Sequence, residues 1–225
     1  MSFSENIKEF VDDLSTWHSE DVFNPWGESD KENDIGSDAP RKRRSNLINY
    51  LQQREKAKII LVAEALGYQG GHFSGIAMTS ERDFIRYTDK VFAKENFHRT
   101  SDKNKTDVKN RIKDGWTEPT GTVVWKTMLE YLSPTDWINW NAFAFHPHKH
   151  NEILTNRTPS DKELLDAQKY LSRFLEFFPN AKVLVAIGNK AKLQLEELGR
   201  KPECVRHPAN GGKPEFVEYI KGKFK

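Results

Sequence analysis

Hydrophobic positions along the chain form short, largely apolar runs separated by segments in which apolar residues recur at helical spacing. The runs at 59–63, 137–141, 183–188 and 204–205 predict four β-strands. The intervening spacing predicts helices at 80–93, 117–132, 160–178, 188–198 and 213–221. Strands that alternate with helices favour parallel pairing with right-handed crossovers. The pattern therefore predicts an α/β protein: a three-layer α/β/α sandwich around a central four-stranded, mostly parallel sheet.

The N-terminal part, residues 1–58, reads as two helices joined by a long surface loop. Apolar residues at helical spacing predict the first helix at 3–14, and Phe23 and Trp26 anchor the polar loop 19–40. A second polar segment, 94–116, is rich in lysine and is either a disordered insertion or a loop that faces DNA. For 225 residues a single domain, 1–225, is the simplest expectation.

Composition narrows the classes of protein that fit. The net charge is +2, so a nucleic-acid partner would require the cations to be gathered on one face. Cys204 is the single cysteine, which excludes an internal disulfide, a Cys-rich zinc site and a cysteine-ligated iron–sulfur cluster. No apolar run approaches the roughly 20 residues of a membrane span. We expect a cytoplasmic monomer with no cofactor and no membrane segment.

Polar residues follow three of the predicted strands. The run IILVA ends at Glu64 and is followed by a loop dense in glycine, Asn141 ends the second strand, and His207 follows the fourth. The carboxyl ends of parallel strands share one edge of the sheet, and ligands of open α/β sheets bind there. The alternative is that the glycine loop is only a long connection, that Asn141 caps a turn, and that His207 is a structural histidine held by Pro208.

The three side chains offer complementary chemistry. Glu64 can orient or activate a water molecule. Asn141 carries both a donor and an acceptor, which suits the edge of a pyrimidine. His207 can donate to an oxygen that gains negative charge as a leaving group departs.

A metal site built from His146, His148 and His150 is a competing hypothesis. Alternating residues of an extended segment point to opposite sides, and no nearby Cys or Asp strengthens the cluster. We therefore expect no metal site.

Several longer segments resemble one family in the expected order. AEALGYQGGHFSGIAMTSE (63–81) is similar to the pattern G-E-A-P-G-Y-x-G-x-x-F-S-G-I-P-F-T-S-E, and WNAFAFHPH (140–148) to W-N-A-F-P-F-H-P-H. Further matching segments are NRTPS (156–160), FFPNAKVLVAIGNKA (177–191), VRHPANGG (205–212), FNPW (23–26) and RKRRSNLINYL (41–51). Over nearly its whole length the chain resembles the uracil-DNA glycosylase superfamily, particularly the bacterial branch that lacks an iron–sulfur cluster.

The resemblance implies a DNA glycosylase that flips a nucleotide into a pocket and hydrolyses its N-glycosidic bond. It implies that Glu64 lies near the attacking water, that Asn141 reads the base, and that His207 stabilises the departing base. The base pocket that it implies consists of Ala65, Gly67, Tyr68, Phe73, Met78 and Phe143. The DNA contacts that it implies are Arg41, Arg43, Arg44, His146, Asn210, Gly211, Gly212 and Lys213. For the basic run 41–44, a solvated helix start is the alternative.

The differences from the family pattern cluster in the first two motifs and bear on the substrate. They are Ala63, Leu66, Ala77, Met78 and Ala144. Met78 stands where the family tends to carry an aromatic residue that stacks on the base, and stacking contributes about 1–3 kcal/mol per base. Uracil is one expected substrate, and a modified phage base such as glucosylated hydroxymethylcytosine, excised in antiviral defence, is the other.

Two further function classes stay open at this point. A non-catalytic module that binds modified DNA would explain the differences in the first motif as lost chemistry. A nucleotide-binding α/β protein is less favoured, because the chain lacks the phosphate-loop pattern G-x-x-x-x-G-K-[ST].

Overall fold

The computed structural model describes residues 2–88, 90–102 and 114–225. Helices and strands alternate along most of this length. In chain order they are α1 (Phe3–Thr16), β1 (Val22–Phe23), α2 (Ala39–Gln52), β2 (Ile59–Ala65), α3 (Gly71–Ser74), α4 (Glu81–Arg86), α5 (Pro119–Tyr131), β3 (Trp137–Phe143), β4 (His146–Pro147), α6 (Asp161–Glu176), β5 (Val183–Ile187), α7 (Asn189–Glu197), β6 (Glu203–Val205), a 3₁₀ turn (Pro208–Asn210) and α8 (Lys213–Phe224).

The central sheet has four strands in the order β3-β2-β5-β6, and every neighbouring pair is parallel. Helices flank this sheet, which confirms the predicted α/β class. Ala63 on β2 lies opposite Asn141 on β3, so these two strands end at the same level of the sheet. A separate two-stranded antiparallel pair joins β1 to β4.

The core is dominated by aromatic side chains around β3. All seven residues of β3 are buried, as expected for a parallel strand covered on both faces. Trp140 stacks on Phe174 of α6 with ring centroids 4.4 Å apart and lies 5.7 Å from Phe10 of α1. Strand β2 is equally buried until Glu64, the point at which the chain reaches the edge of the sheet.

Helix boundaries agree with the sequence where a cap is strong. Ser160 and Glu163 form the predicted capping box before α6, with Ser160 N donating to Glu163 Oε2 at 2.7 Å. The helix predicted at 80–93 is wrong in length, because α4 ends at Arg86. Just beyond this end, the Thr88 hydroxyl donates to the carbonyl of Phe84. Of the predicted loop at 94–116, residues 103–113 lie outside the described residues.

Arg43 of α2 is fully buried, which corrects the expected phosphate contact. Its Nη1 and Nη2 donate to the two carboxylate oxygens of the buried Asp34, at 2.7 and 3.1 Å. Nη1 also donates to the Thr100 hydroxyl, and Nη2 donates to the carbonyl of Glu28. Arg43 therefore fastens the N-terminal loop to α2 and has no donor left for DNA.

Among the described residues, every helix is too short or too polar to span a lipid bilayer.

Candidate active site

Glu64 and His207 line one cavity at the carboxyl edge of the sheet, with a volume of about 470 Å³. We call it the central cavity. Its wall is formed by β2 and the loop that follows, the start of α5, the segment 156–158, Met78, His207 and Ala209. The volume lies within the range of about 300–1,000 Å³ that is typical of ligand pockets.

Glu64 is held at the cavity by a cation. Lys190, from the start of α7, donates through Nζ to Glu64 Oε1 at 3.1 Å and also to the hydroxyl of Thr158. The Glu64 side chain keeps about a third of its surface exposed, so it is reachable from the cavity. Lys190 and Glu64 thus form an ion pair at the border of the cavity.

His207 is half-buried beside Glu64. Burial lowers the pKa of His207, and the negative charge of Glu64 opposes that shift. Its Nδ1 is buried and has no hydrogen-bond partner among the described residues. Burial thus disfavours the charged imidazolium form of His207. The neutral imidazole still carries one N–H donor. The structure therefore brings together two of the three expected catalytic side chains.

Asn141 is not part of the cavity wall, although it lies on the expected edge of the sheet. It is 1% exposed. With the amide oriented by its surroundings, the side-chain oxygen accepts from Leu66 N and the nitrogen donates to the Trp140 carbonyl, both at 3.2 Å. Leu66 N also donates to the Phe145 carbonyl at 3.1 Å, so both contacts hold the start of the loop that follows Glu64. A contact of Asn141 with the base stays a prediction.

Three expected base-pocket residues, Ala65, Gly67 and Met78, do line the central cavity. Met78 has φ at +47°, a left-handed conformation that is uncommon for residues other than glycine. Helix α5 packs directly on this residue, since a Cβ at Gly121 would lie only 2.6 Å from the Met78 carbonyl oxygen. A strained backbone held by close packing at a cavity is typical of a functional position.

The other three expected base-pocket residues lie elsewhere. Phe73 is fully buried and stacks on Trp116, and Phe143 is fully buried with its edge on Trp17. Tyr68 lines a neighbouring cavity of about 540 Å³ together with Trp116. These three rings therefore lie outside the wall of the central cavity.

His146 is fully buried, which corrects its expected contact with DNA. Its Nε2 lies 2.8 Å from the Thr155 carbonyl and its Nδ1 lies 2.9 Å from Nδ1 of His72, whose Nε2 is 3.0 Å from Asp30. Burial lowers the pKa of His146 well below its ordinary value. This chain of contacts holds the segment that leads into Asn156.

The remaining expected DNA contacts are spread over two surfaces. Arg41 is exposed and pairs with Asp38 at 3.2 Å, while Arg44 donates to the carbonyl of Trp26. Asn210 ends the 3₁₀ turn, and Gly211, Gly212 and Lys213 lead into α8. Gly211 has φ at +80°, so the turn after the 3₁₀ segment depends on glycine.

Sequence reasoning missed several residues that border the site: Glu118, Asn156, Arg157, Thr158 and Lys190. Asn156, Arg157 and Thr158 lie in NRTPS (156–160), and Lys190 lies in the segment 177–191. Both segments carry the resemblance, but it assigns no role to these four residues. Asn156 accepts from Tyr68 N at 3.0 Å through its side-chain oxygen, which places its amide at the cavity. Glu118 belongs to no motif and carried no signal.

A second cavity, of about 720 Å³, adjoins the first and shares Glu64 and His207 with it. Three cations line it: Lys190, Lys192 and Arg206. We call it the basic cavity. Each of these cations pairs with a carboxylate, of Glu64, Glu196 and Glu215 respectively, so a bound polyanion would have to compete with these ion pairs.

Comparisons with known proteins bear on the fold. No family model matches the chain, and no curated protein matches it. Among solved structures, the crystal structure of wild-type SMUG2 from Pedobacter heparinus superposes with a TM-score of 0.65 at 13% sequence identity. The superposition covers 99% of this chain and 97% of that chain. The chain has the fold of SMUG2. At this identity the SMUG2 likeness concerns architecture alone.

Proposed function

We propose that this protein is a monofunctional DNA glycosylase that flips out an aberrant or modified pyrimidine and hydrolyses its N-glycosidic bond. The observation that carries the proposal is that Glu64 and His207 line one cavity at the carboxyl edge of the sheet. The order of the sequence motifs supports it, and so does the fold shared with SMUG2, a glycosylase of the uracil-DNA glycosylase superfamily. The substrate is uracil or a modified phage base such as glucosylated hydroxymethylcytosine, the latter in antiviral defence.

The reaction separates charge between sugar and base. As the N-glycosidic bond breaks, the sugar becomes oxocarbenium-like and the base takes the electron pair. The carboxylate of Glu64 stabilises the sugar and accepts a proton from the water whose oxygen bonds to the anomeric carbon. His207 donates a hydrogen bond to the base oxygen that gains negative charge. The base anion takes up a proton from solvent and Glu64 releases the one it accepted, so the products are the free base and an abasic site.

DNA binding is assigned to the cations around the site. Lys190, Lys192 and Arg206 border the basic cavity, next to Glu64 and His207, where the backbone of a flipped nucleotide would pass. Lys213 and the turn at Gly211 and Gly212 extend this surface. Binding that depends on these cations weakens steeply as salt increases.

Release of a free base tests the proposal directly. The protein is incubated with uracil-containing duplexes and with phage DNA that carries glucosylated hydroxymethylcytosine. Free bases are identified by mass spectrometry, and abasic sites by alkaline strand cleavage. We expect one free base together with abasic sites. Base-selective binding without any free base would instead establish the non-catalytic module, and an absence of both binding and release would remove DNA as the partner.

We expect His207→Ala to lower the rate of base release by about 10²–10³-fold, the usual effect of removing one donor to a developing anion. The exposed His18, which pairs with Glu28, provides the matched control, and His18→Ala should act like the wild type. Single-turnover kinetics at saturating enzyme measure the chemical step. Equal rates for both variants would remove His207 from the mechanism.

A further inference from the structure

Glu118 lies in the wall of the central cavity. It is the N-cap residue of α5, and its side chain makes no capping hydrogen bond. Its carbonyl accepts from Thr122 N at 2.9 Å, which fixes the backbone. Its Oε2 is buried and has no hydrogen-bond partner within the described part of the chain. A buried oxygen in this state is costly, and it is far more costly when the carboxyl is charged.

Two glycines make the space that Glu118 occupies. A side chain at Gly70 would overlap Glu118 Oε2, and a Cβ at Gly121 would lie 3.4 Å from the same oxygen. The Gly121 position also packs on the carbonyl of Met78. The recess thus holds Oε2 between Gly70 and Gly121, near the backbone carbonyl of Met78, and both Glu118 and Met78 line the central cavity.

The charges around Glu118 favour its neutral form. Burial raises the pKa of Glu118 to about 8, and the buried Asp83 acts in the same direction. The other charged or titratable groups on the central cavity are Glu64, Arg157 and His207. Arg157 is engaged by Glu163, with Nη2 to Oε1 at 2.6 Å. A neutral carboxyl carries one O–H donor as well as an acceptor.

We propose that Glu118 is a specificity-determining residue whose protonated carboxyl donates a hydrogen bond to a carbonyl oxygen of the pyrimidine in the central cavity. This inference rests on the proposed function and adds a second donor to the one supplied by His207. The ionised carboxylate would instead repel that oxygen. Glu118 therefore selects for an acceptor on the base and does so only while it keeps its proton.

Two substitutions separate the effect of hydrogen-bond donation by residue 118 from the effect of its side-chain shape. Glu118→Gln keeps the size and offers an amide NH₂ group as donor but does not titrate, while Glu118→Met keeps the length without a donor. Base release is measured from pH 6.5 to pH 9 on whichever substrate the wild type cleaves. Binding is measured over the same range with a duplex that carries one 2′-fluoro-2′-deoxyarabinouridine, whose N-glycosidic bond resists hydrolysis. Thermal unfolding of each variant reports folding.

At pH 6.5 we expect Glu118→Gln to match the wild type and Glu118→Met to be about five- to tenfold weaker, the worth of one hydrogen bond. As pH rises through 8, the wild type should lose a similar factor and Glu118→Gln should not. The unfolding temperature of Glu118→Gln should exceed that of the wild type by a margin that grows between pH 5 and pH 8. A raised acid pKa produces this sign, because the folded state then binds the extra proton.

The outcomes distinguish this inference from the proposed function. Base release by the wild type with an unchanged alkaline decline in Glu118→Gln would overturn the role of Glu118 alone. So would wild-type binding by Glu118→Met at pH 6.5. If the wild type releases no base, the catalytic proposal fails, and the binding measurements still decide whether Glu118 recognises the base. Absence of both release and binding would overturn both.

Discussion

Replacing Glu64 by glutamine should slow base release by about 10²–10⁴-fold, the range attributed to a positioned acid or base. The amide is nearly isosteric but can neither accept the proton of water nor offset a positive sugar. Glu64 keeps about a third of its side chain exposed, so the unfolding midpoint should stay close to that of the wild type. Single-turnover release of the base, together with chemical denaturation, measures both quantities.

Helix α7 offers a matched control for this variant. Glu196 is an exposed carboxylate that pairs with Lys192 at 3.6 Å, much as Glu64 pairs with Lys190, but it lies outside both cavities. Glu196→Gln should therefore keep the full rate. If Glu64→Gln also keeps the full rate, the water-activating role assigned to Glu64 is wrong even if the protein proves to be a glycosylase.

Replacing Arg43 by methionine should destabilise the fold by about 3–5 kcal/mol, the usual cost of breaking a buried ion pair from one side. Arg43 is fully buried, and its guanidinium makes two hydrogen bonds to the buried Asp34. The substitution removes the charge that balances the Asp34 carboxylate. Urea denaturation measures the loss.

Arg41, on the same helix, is the control for Arg43. It is exposed and pairs with the partly exposed Asp38, so Arg41→Met should leave the unfolding midpoint almost unchanged.

DNA binding as a function of salt adds a second test, because loss of one phosphate contact reduces the salt dependence by about one ion. Arg43→Met should keep the wild-type salt dependence under conditions in which it is folded. A reduced dependence with unchanged stability would restore Arg43 as a phosphate contact.

Two residues of 63–81 that differ from the resembled pattern, Leu66 and Met78, are tightly packed at the central cavity. Leu66 packs so closely against Gly71 that a side chain at Gly71 would overlap it, and Met78 takes a left-handed backbone under the start of α5. Glu118, the N-cap residue of α5, lies in the same cavity wall. Three of the residues that differ from the pattern this chain resembles, Ala63, Leu66 and Met78, therefore line the cavity in which we propose base selectivity.

The sequence by itself determined the strands of the sheet and the edge at which Glu64 and His207 lie. Apolar runs of strand length alternate with segments of helical period, and in a parallel sheet this pattern places the residues after each strand on one side. Glu64 and His207 could be assigned to one site for that reason, without coordinates. The capping box at Ser160 fixed the start of α6 equally well, because all its partners lie within one turn.

Only the tertiary structure decided which polar side chains reach the cavity. Asn141 was on the correct edge, but its amide is held by backbone groups of Leu66 and Trp140. Arg43 belonged to a basic run that is typical of a surface, yet its partner Asp34 is buried with it. Glu118 had no signal, because its role depends on the space left by Gly70 and Gly121. Local period and strand order follow from neighbours in sequence, whereas burial, pairing and pKa depend on groups that only folding brings together.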